Sequence, residues 1–142
     1  MKKFTIAVLG VLILSCSADD EGRRRNPFLL DLNFNFSLNT NLPQYSDLQF
    51  PSNSVYLPNL GNRGVIVINT GSGFLAWDAS DPNHVPNTCS TLTINGIEAT
   101  CGCEEANRYN LVTGQAVSDG SLQYPLLQYR ATQNGNIITI SN

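Results

Sequence analysis

Thr91-Leu92-Thr93-Ile94-Asn95-Gly96-Ile97-Glu98-Ala99-Thr100-Cys101-Gly102-Cys103 decides the fold class of this chain. Two short apolar–polar runs, 91–94 and 97–100, flank Asn95-Gly96, the favoured pair for a two-residue hairpin turn. The second run leads straight into a loop, 101–108, that carries two cysteines. An antiparallel hairpin ending in a Cys-Gly-Cys loop is therefore the unit from which to work outward.

Upstream, Phe74 to Asp78 reads as a strand and feeds a longer loop, Ala79-Ser80-Asp81-Pro82-Asn83-His84-Val85-Pro86-Asn87, in which two prolines prevent regular structure. Val55 to Leu57 and Gly64 to Asn69 are short apolar strands around the turn signal 59–62. Further back, Leu30, Leu32, Phe34, Phe36 and Leu38 alternate with Asp31, Asn33, Asn35 and Ser37, the pattern of a strand with one buried face. Downstream, Tyr109 to Leu111 and Gln115 to Val117 flank a turn at Thr113-Gly114. Leu126 to Thr132 is expected to pair with Asn136 to Ile140 across Gln133-Asn134-Gly135. Outside the first fifteen residues no ten-residue stretch has helical spacing, so the expectation is an all-β chain of short antiparallel strands. Trp77 and Phe74 read as core.

Met1-Lys2-Lys3, an apolar run Phe4 to Leu14 and then Ser15-Cys16 form a secretory signal. The run is shorter than the roughly 20 residues a bilayer span needs. Ile13-Leu14-Ser15-Cys16 resembles the lipobox at which bacterial lipoproteins are cut and acylated, with Leu14 larger than usual for its slot. The resemblance implies a palmitate-type lipid anchor on Cys16 in the cell envelope. Two or more chains anchor stably, because burial contributes about 0.8 kcal/mol per methylene. Asp19-Asp20-Glu21 resembles the signal that places Bacteroidetes lipoproteins on the outer face of the outer membrane, and reads equally well as a solvated linker. The expected organisation is a signal at 1–15, a tether at 16–27 and one β domain at 28–142.

The whole chain has a net charge of −3 and only 13% charged residues, with 11 Gly and 7 Pro. Removing residues 1–15 leaves six basic and eleven acidic side chains. Beyond Arg23-Arg24-Arg25 there is no basic patch, which excludes nucleic acid as an expected partner. With Cys16 given to lipid, Cys89, Cys101 and Cys103 remain in an oxidising compartment. Three cysteines make one bridge and one spare thiol. Cys101 and Cys103 are too close to bridge each other comfortably in an extended chain, so Cys89 is the shared partner of one or the other.

Two cysteine-bearing loops, each at a hairpin end, resemble those of the Rieske iron–sulfur family. Its [2Fe–2S] cluster is held by two Cys on one iron and two His on the other. The Thr113-Gly114 turn and Tyr124-Pro125-Leu126-Leu127-Gln128-Tyr129 are similar to the strands that follow that family's second loop. The likeness is clearest over 50–142. It implies a disulfide between Cys89 and Cys103 and sets Cys101 at an iron-binding Cys.

The other ligand positions depart from the pattern. Asp81 stands where the family has Cys, Asn83 or the shifted His84 where it has His, and Glu104 where it has the second His. Carboxylates suit harder ions than an iron–sulfur cluster. The leading expectation is thus a Rieske-like domain without its cluster, non-catalytic, serving as a binding or structural module for a protein or small-molecule partner. The alternatives are electron transfer by a divergent [2Fe–2S] centre, or a mononuclear metal site, from Asp81, His84, Cys101 and Glu104. Hydrolysis finds no support, since His84 is the sole histidine and no Gly-x-Ser-x-Gly elbow exists.

Overall fold

Val65-Ile66-Val67-Ile68 is the apolar run around which the domain is built, and all four side chains are buried. Alternate residues of a strand face opposite sides, so this run must be covered twice. Ile66 and Ile68 pack into one core with Trp77, Leu92, Tyr109, Leu111 and Leu126. Val65 and Val67 pack into a second core with Leu38, Leu48, Leu57, Tyr129 and Ile140.

The computed structural model describes residues 26–118 and 120–142. The signal, Cys16 and the tether up to Arg25 lie outside the described residues. The strands are β1 (Asn35–Asn39), β2 (Ser54–Leu57), β3 (Val65–Asn69), β4 (Phe74–Asp78), β5 (Leu92–Asn95), β6 (Glu98–Cys101), β7 (Arg108–Asn110), β8 (Gln128–Asn134) and β9 (Ile137–Ser141). A six-stranded sheet has the order β1-β9-β8-β4-β3-β2, and a three-stranded sheet the order β5-β6-β7. Every strand pairing is antiparallel. The first core lies where the small sheet packs on the large one. Among the described residues no helix is long and apolar enough to cross a membrane.

Several sequence expectations shift. The alternation of Leu32, Phe34, Phe36 and Leu38 holds as a burial pattern, with Asp31, Asn33, Asn35 and Ser37 exposed, yet ladder pairing begins only at Asn35. Leu30 is 66% exposed and drops out of the buried set. Gln115 to Val117 is not a strand; it contributes the single bridge Tyr109 to Ala116. A 3₁₀ segment, Pro43–Gln49, buries Leu48; seven residues are too few for a helical period to show in sequence. Asn26 binds the Pro82 carbonyl through Nδ2 at 2.6 Å, so the last residues assigned to the tether already dock on the domain.

Both hairpin turns sit later than read, the first by one residue, and the second is two residues long rather than three. Asn95 pairs with Glu98, leaving Gly96-Ile97 as the turn, and Asn134 pairs with Ile137, leaving Gly135-Asn136. Gly96 and Gly135 have positive φ at the first turn position while Ile97 and Asn136 do not, the II′ arrangement rather than I′. In the first hairpin both registers keep Leu92 and Ile94 on the face that carries Ala99 and Cys101, so patterning alone cannot choose between them. The observed one sets Leu92 opposite Cys101.

Candidate functional site

β4 delivers the chain into the first loop, and the loop's base is closed like a ladder. Ser80 bridges Thr91, the Asp81 N–H donates to the Ser90 carbonyl at 2.8 Å, and that of Leu92 to the Ala79 carbonyl at 2.7 Å. β6 delivers Cys101 into the second loop, closed by the Cys101 N–H donating to the Asn107 carbonyl at 2.8 Å. The loops are joined by a disulfide between Cys89 and Cys103, with Cα atoms 4.9 Å apart. Of the two pairings the cysteine spacing left open, this is the one implied by the family resemblance. Gly102 permits the approach, because a Cβ there would meet the Cys89 carbonyl oxygen at 2.8 Å.

Between the loops lies a buried polar knot centred on Asp81, which is fully buried. Its Oδ1 accepts from the Tyr109 hydroxyl at 2.5 Å and from the Asn83 N–H at 2.9 Å. Its Oδ2 accepts from Asn107 Nδ2 at 2.9 Å. Asn83 Nδ2 donates in turn to the Tyr109 hydroxyl at 2.9 Å and to the Tyr124 carbonyl at 2.7 Å. Asn83 Oδ1 accepts from the N–H groups of Gln123 and Tyr124, both at 2.9 Å. Burial, reinforced by the bond to Asp81, pushes the Tyr109 hydroxyl well above the usual phenol range. The phenol therefore stays protonated and keeps donating.

A second fully buried carboxylate, Asp78, closes the start of the same loop. It accepts from the Tyr129 hydroxyl at 2.6 Å, the Asn62 N–H at 2.7 Å, Asn62 Nδ2 at 3.0 Å and the Ser80 N–H at 2.8 Å. Gly61 has positive φ, and a Cβ there would stand 2.5 Å from Asp78 Oδ2.

Of the four residues named for a metal, Asp81 and Cys101 are neighbours in the interior and the other two are not with them. His84 leans toward the disulfide, with Nε2 4.0 Å from Glu105 Oε2. Glu104 is exposed. Among the described residues, the group of metal-ligating atoms lying mutually within 4.8 Å is His84, Cys89 and Cys103. The set Asp81, His84, Cys101 and Glu104 thus does not converge, because the turn closed by the Ala106 N–H on the Cys103 carbonyl at 3.0 Å carries Glu104 out to the surface while Cys103 stays buried.

As they stand, these donors do not fit a [2Fe–2S] centre. Both Asp81 oxygens are committed to hydrogen bonds, as are both polar atoms of the Asn83 side chain. Cys101 is buried and unbridged, with its sulfur 3.9 Å from the Cys89 carbonyl oxygen. Burial foremost, with the Asp81 carboxylate acting in the same direction, raises the Cys101 thiol from 9.0 to about 11. Iron binds the thiolate.

A raised thiol pKa means that the folded state favours the neutral form. The stability this contributes is complete below about pH 9 and is lost as pH rises through about 11. The unfolding midpoint should accordingly fall between pH 9 and 11, and less steeply in Cys101→Ser. At pH 8 the native protein should leave Cys101 unalkylated by iodoacetamide while the urea-unfolded chain is modified within minutes, as peptide mass analysis will show.

No protein-family model matches the chain, and no curated protein matches it. Among solved structures, a chain in the complex of reduced oxygenase and oxidized ferredoxin in carbazole 1,9a-dioxygenase is similar, with a TM-score of 0.50 at 19% identity. The match covers 74% of this chain and 92% of that one. The fold is Rieske-like. A protein of Mycobacterium tuberculosis named as an NADH-dependent nitrite reductase small subunit is also similar, with a TM-score of 0.45 at 18% identity, over 79% of this chain and 97% of its own.

The Rieske-like domain's central knot was only half visible in sequence. Asp81 stood out as the occupant of a ligand position. Its partners Asn107 and Tyr109 did not, because a buried Asn or Tyr carries no pattern that tells a hydrogen-bond partner from a turn or core residue. Asn83 shows in the sequence only as a candidate for a missing histidine.

Proposed function

We propose that this chain is an exported, lipid-anchored protein of the outer membrane. It displays a Rieske-like β domain that has given up its iron–sulfur cluster and works as a non-catalytic binding or structural module. The observation that carries this is the Asp81 knot. A carboxylate stands where the resemblance sets an iron-binding Cys, and both its oxygens are engaged, by Tyr109, Asn83 and Asn107. Polar side chains here tie together the two loops that the cluster ties together in the family, and the disulfide adds a covalent tie. The anchor rests on the lipobox-like Ile13-Leu14-Ser15-Cys16 and the secretory signal before it.

Two measurements test the proposal. Protein purified anaerobically should carry no stoichiometric iron or acid-labile sulfide and no visible absorbance; one cluster per chain would overturn the reading. In cells, labelled palmitate should enter the protein and be lost in Cys16→Ser, which should also shift it from the membrane fraction to the soluble one. Labelling that survives the substitution would remove the anchor from the proposal.

A further inference from the structure

The disulfide has a neighbour that the fold does not use. His84 Nε2 or Nδ1 and the sulfurs of Cys89 and Cys103 all lie within 4.8 Å of one another. His84 Nδ1 is 2.7 Å from the Val85 carbonyl oxygen. A carbonyl only accepts, so Nδ1 is the donor, and in the neutral ring that leaves the lone pair on Nε2. A backbone carbonyl fixing the far nitrogen in this way is the usual support of a metal-binding histidine. Glu105, with a side chain 58% exposed, reaches to 4.0 Å from Nε2. Asn87 Oδ1 stands 3.0 Å from Cys89 Sγ and 3.7 Å from Cys103 Sγ. It already accepts from the N–H groups of Cys89 and Ser90, which holds the loop around the sulfurs.

We propose that Cys89, Cys103 and His84 form a site for a thiophilic divalent cation of the zinc class that exists only when the disulfide is reduced. A dithiol reductant gives two electrons and two protons to the sulfur–sulfur bond and is itself oxidised to a disulfide. The metal then displaces one proton from each cysteine and takes two thiolates and His84 Nε2, with Glu105 or water in the fourth position.

Two thiolates and an imidazole are a soft set that suits zinc. Tetrahedral zinc spaces such donors roughly 3.3–3.8 Å apart, so the bonded sulfurs must separate once the bridge is cut, while His84 already lies within 4.8 Å of both. The two loops do not depend on the bridge to stay adjacent, because the Asp81 bonds to Asn107 and Tyr109 cross between them. Bridge and metal use the same sulfurs, so each excludes the other and the site reports the redox state around it. The proposal rests on the preceding reading at one point: His84 is not held by iron.

The test uses the detergent-solubilised full chain, oxidised or reduced with excess dithiothreitol and desalted anaerobically, titrated with zinc chloride against a chromophoric chelator. One zinc per reduced chain is expected, and none per oxidised chain. His84→Ala, which spares the disulfide, should weaken binding at least about tenfold, whereas Cys101→Ser and Cys16→Ser should not alter it. Each tenfold rise in free zinc above the dissociation constant should raise the midpoint of the disulfide couple by about 30 mV.

Equal binding by both redox forms would overturn the proposal, as would indifference to His84→Ala, loss in Cys101→Ser, or unfolding on reduction as read by Trp77 fluorescence. Sulfide measured on the same samples separates the two readings. Stoichiometric sulfide refutes cluster loss, whereas a sulfide-free reduced chain that ignores zinc refutes this site alone.

Discussion

Replacing Asp81 by Ala should cost about 4 kcal/mol of stability, with a fall of roughly 12–20 °C in the thermal midpoint. Three donors point at this carboxylate: the Tyr109 hydroxyl, the Asn83 N–H and Asn107 Nδ2. Each buried donor left without a partner costs about 1–3 kcal/mol. Against that, removing a fully buried carboxylate recovers the cost of desolvating it, which keeps the sum below three full penalties. Asp81→Asn retains one acceptor oxygen but turns an amide toward a second donor, so an intermediate loss of about 2 kcal/mol is expected. Chemical denaturation of the three proteins checks the order. A loss under 1 kcal/mol for Asp81→Ala would mean that the knot does not hold the loops together.

The paired substitution Cys89→Ala, Cys103→Ala should cost about 3 kcal/mol in the chain-entropy model. The bridged residues are 14 apart in sequence, closing a loop of about 15 residues, and the bridge acts mainly by restricting the unfolded chain. The midpoint should drop by roughly 10–15 °C. Because the Asp81 knot spans the same two loops, combining the pair with Asp81→Ala should be non-additive. With either tie in place the loops stay positioned; with both gone the second loss adds loop disorder to its own cost. Strict additivity in a double-mutant cycle would show that the two ties act independently.

These effects divide what the sequence shows from what it hides. The strands announced themselves through period-2 burial in 31–38 and through the continuous apolar run at 65–68, which needs cover on both faces. The two loops were legible from Pro82, Pro86 and the Cys101-Gly102-Cys103 spacing. The 3₁₀ segment at 43–49 was not, being too short to establish a period.

The sequence by itself determined an all-β chain of antiparallel strands, two cysteine loops, and an odd cysteine among Cys89, Cys101 and Cys103, because these follow from alternation, turn chemistry and counting. Counting left the partner of Cys89 open and the family resemblance implied Cys103, the pairing the structure has. Tertiary structure alone decided the hairpin registers and the knot that Asn83, Asn107 and Tyr109 tie around Asp81. A hydrogen bond between residues 26 positions apart leaves no periodic trace. It exists only because the two sheets bring both loops to the same end, where a buried carboxylate must find its donors.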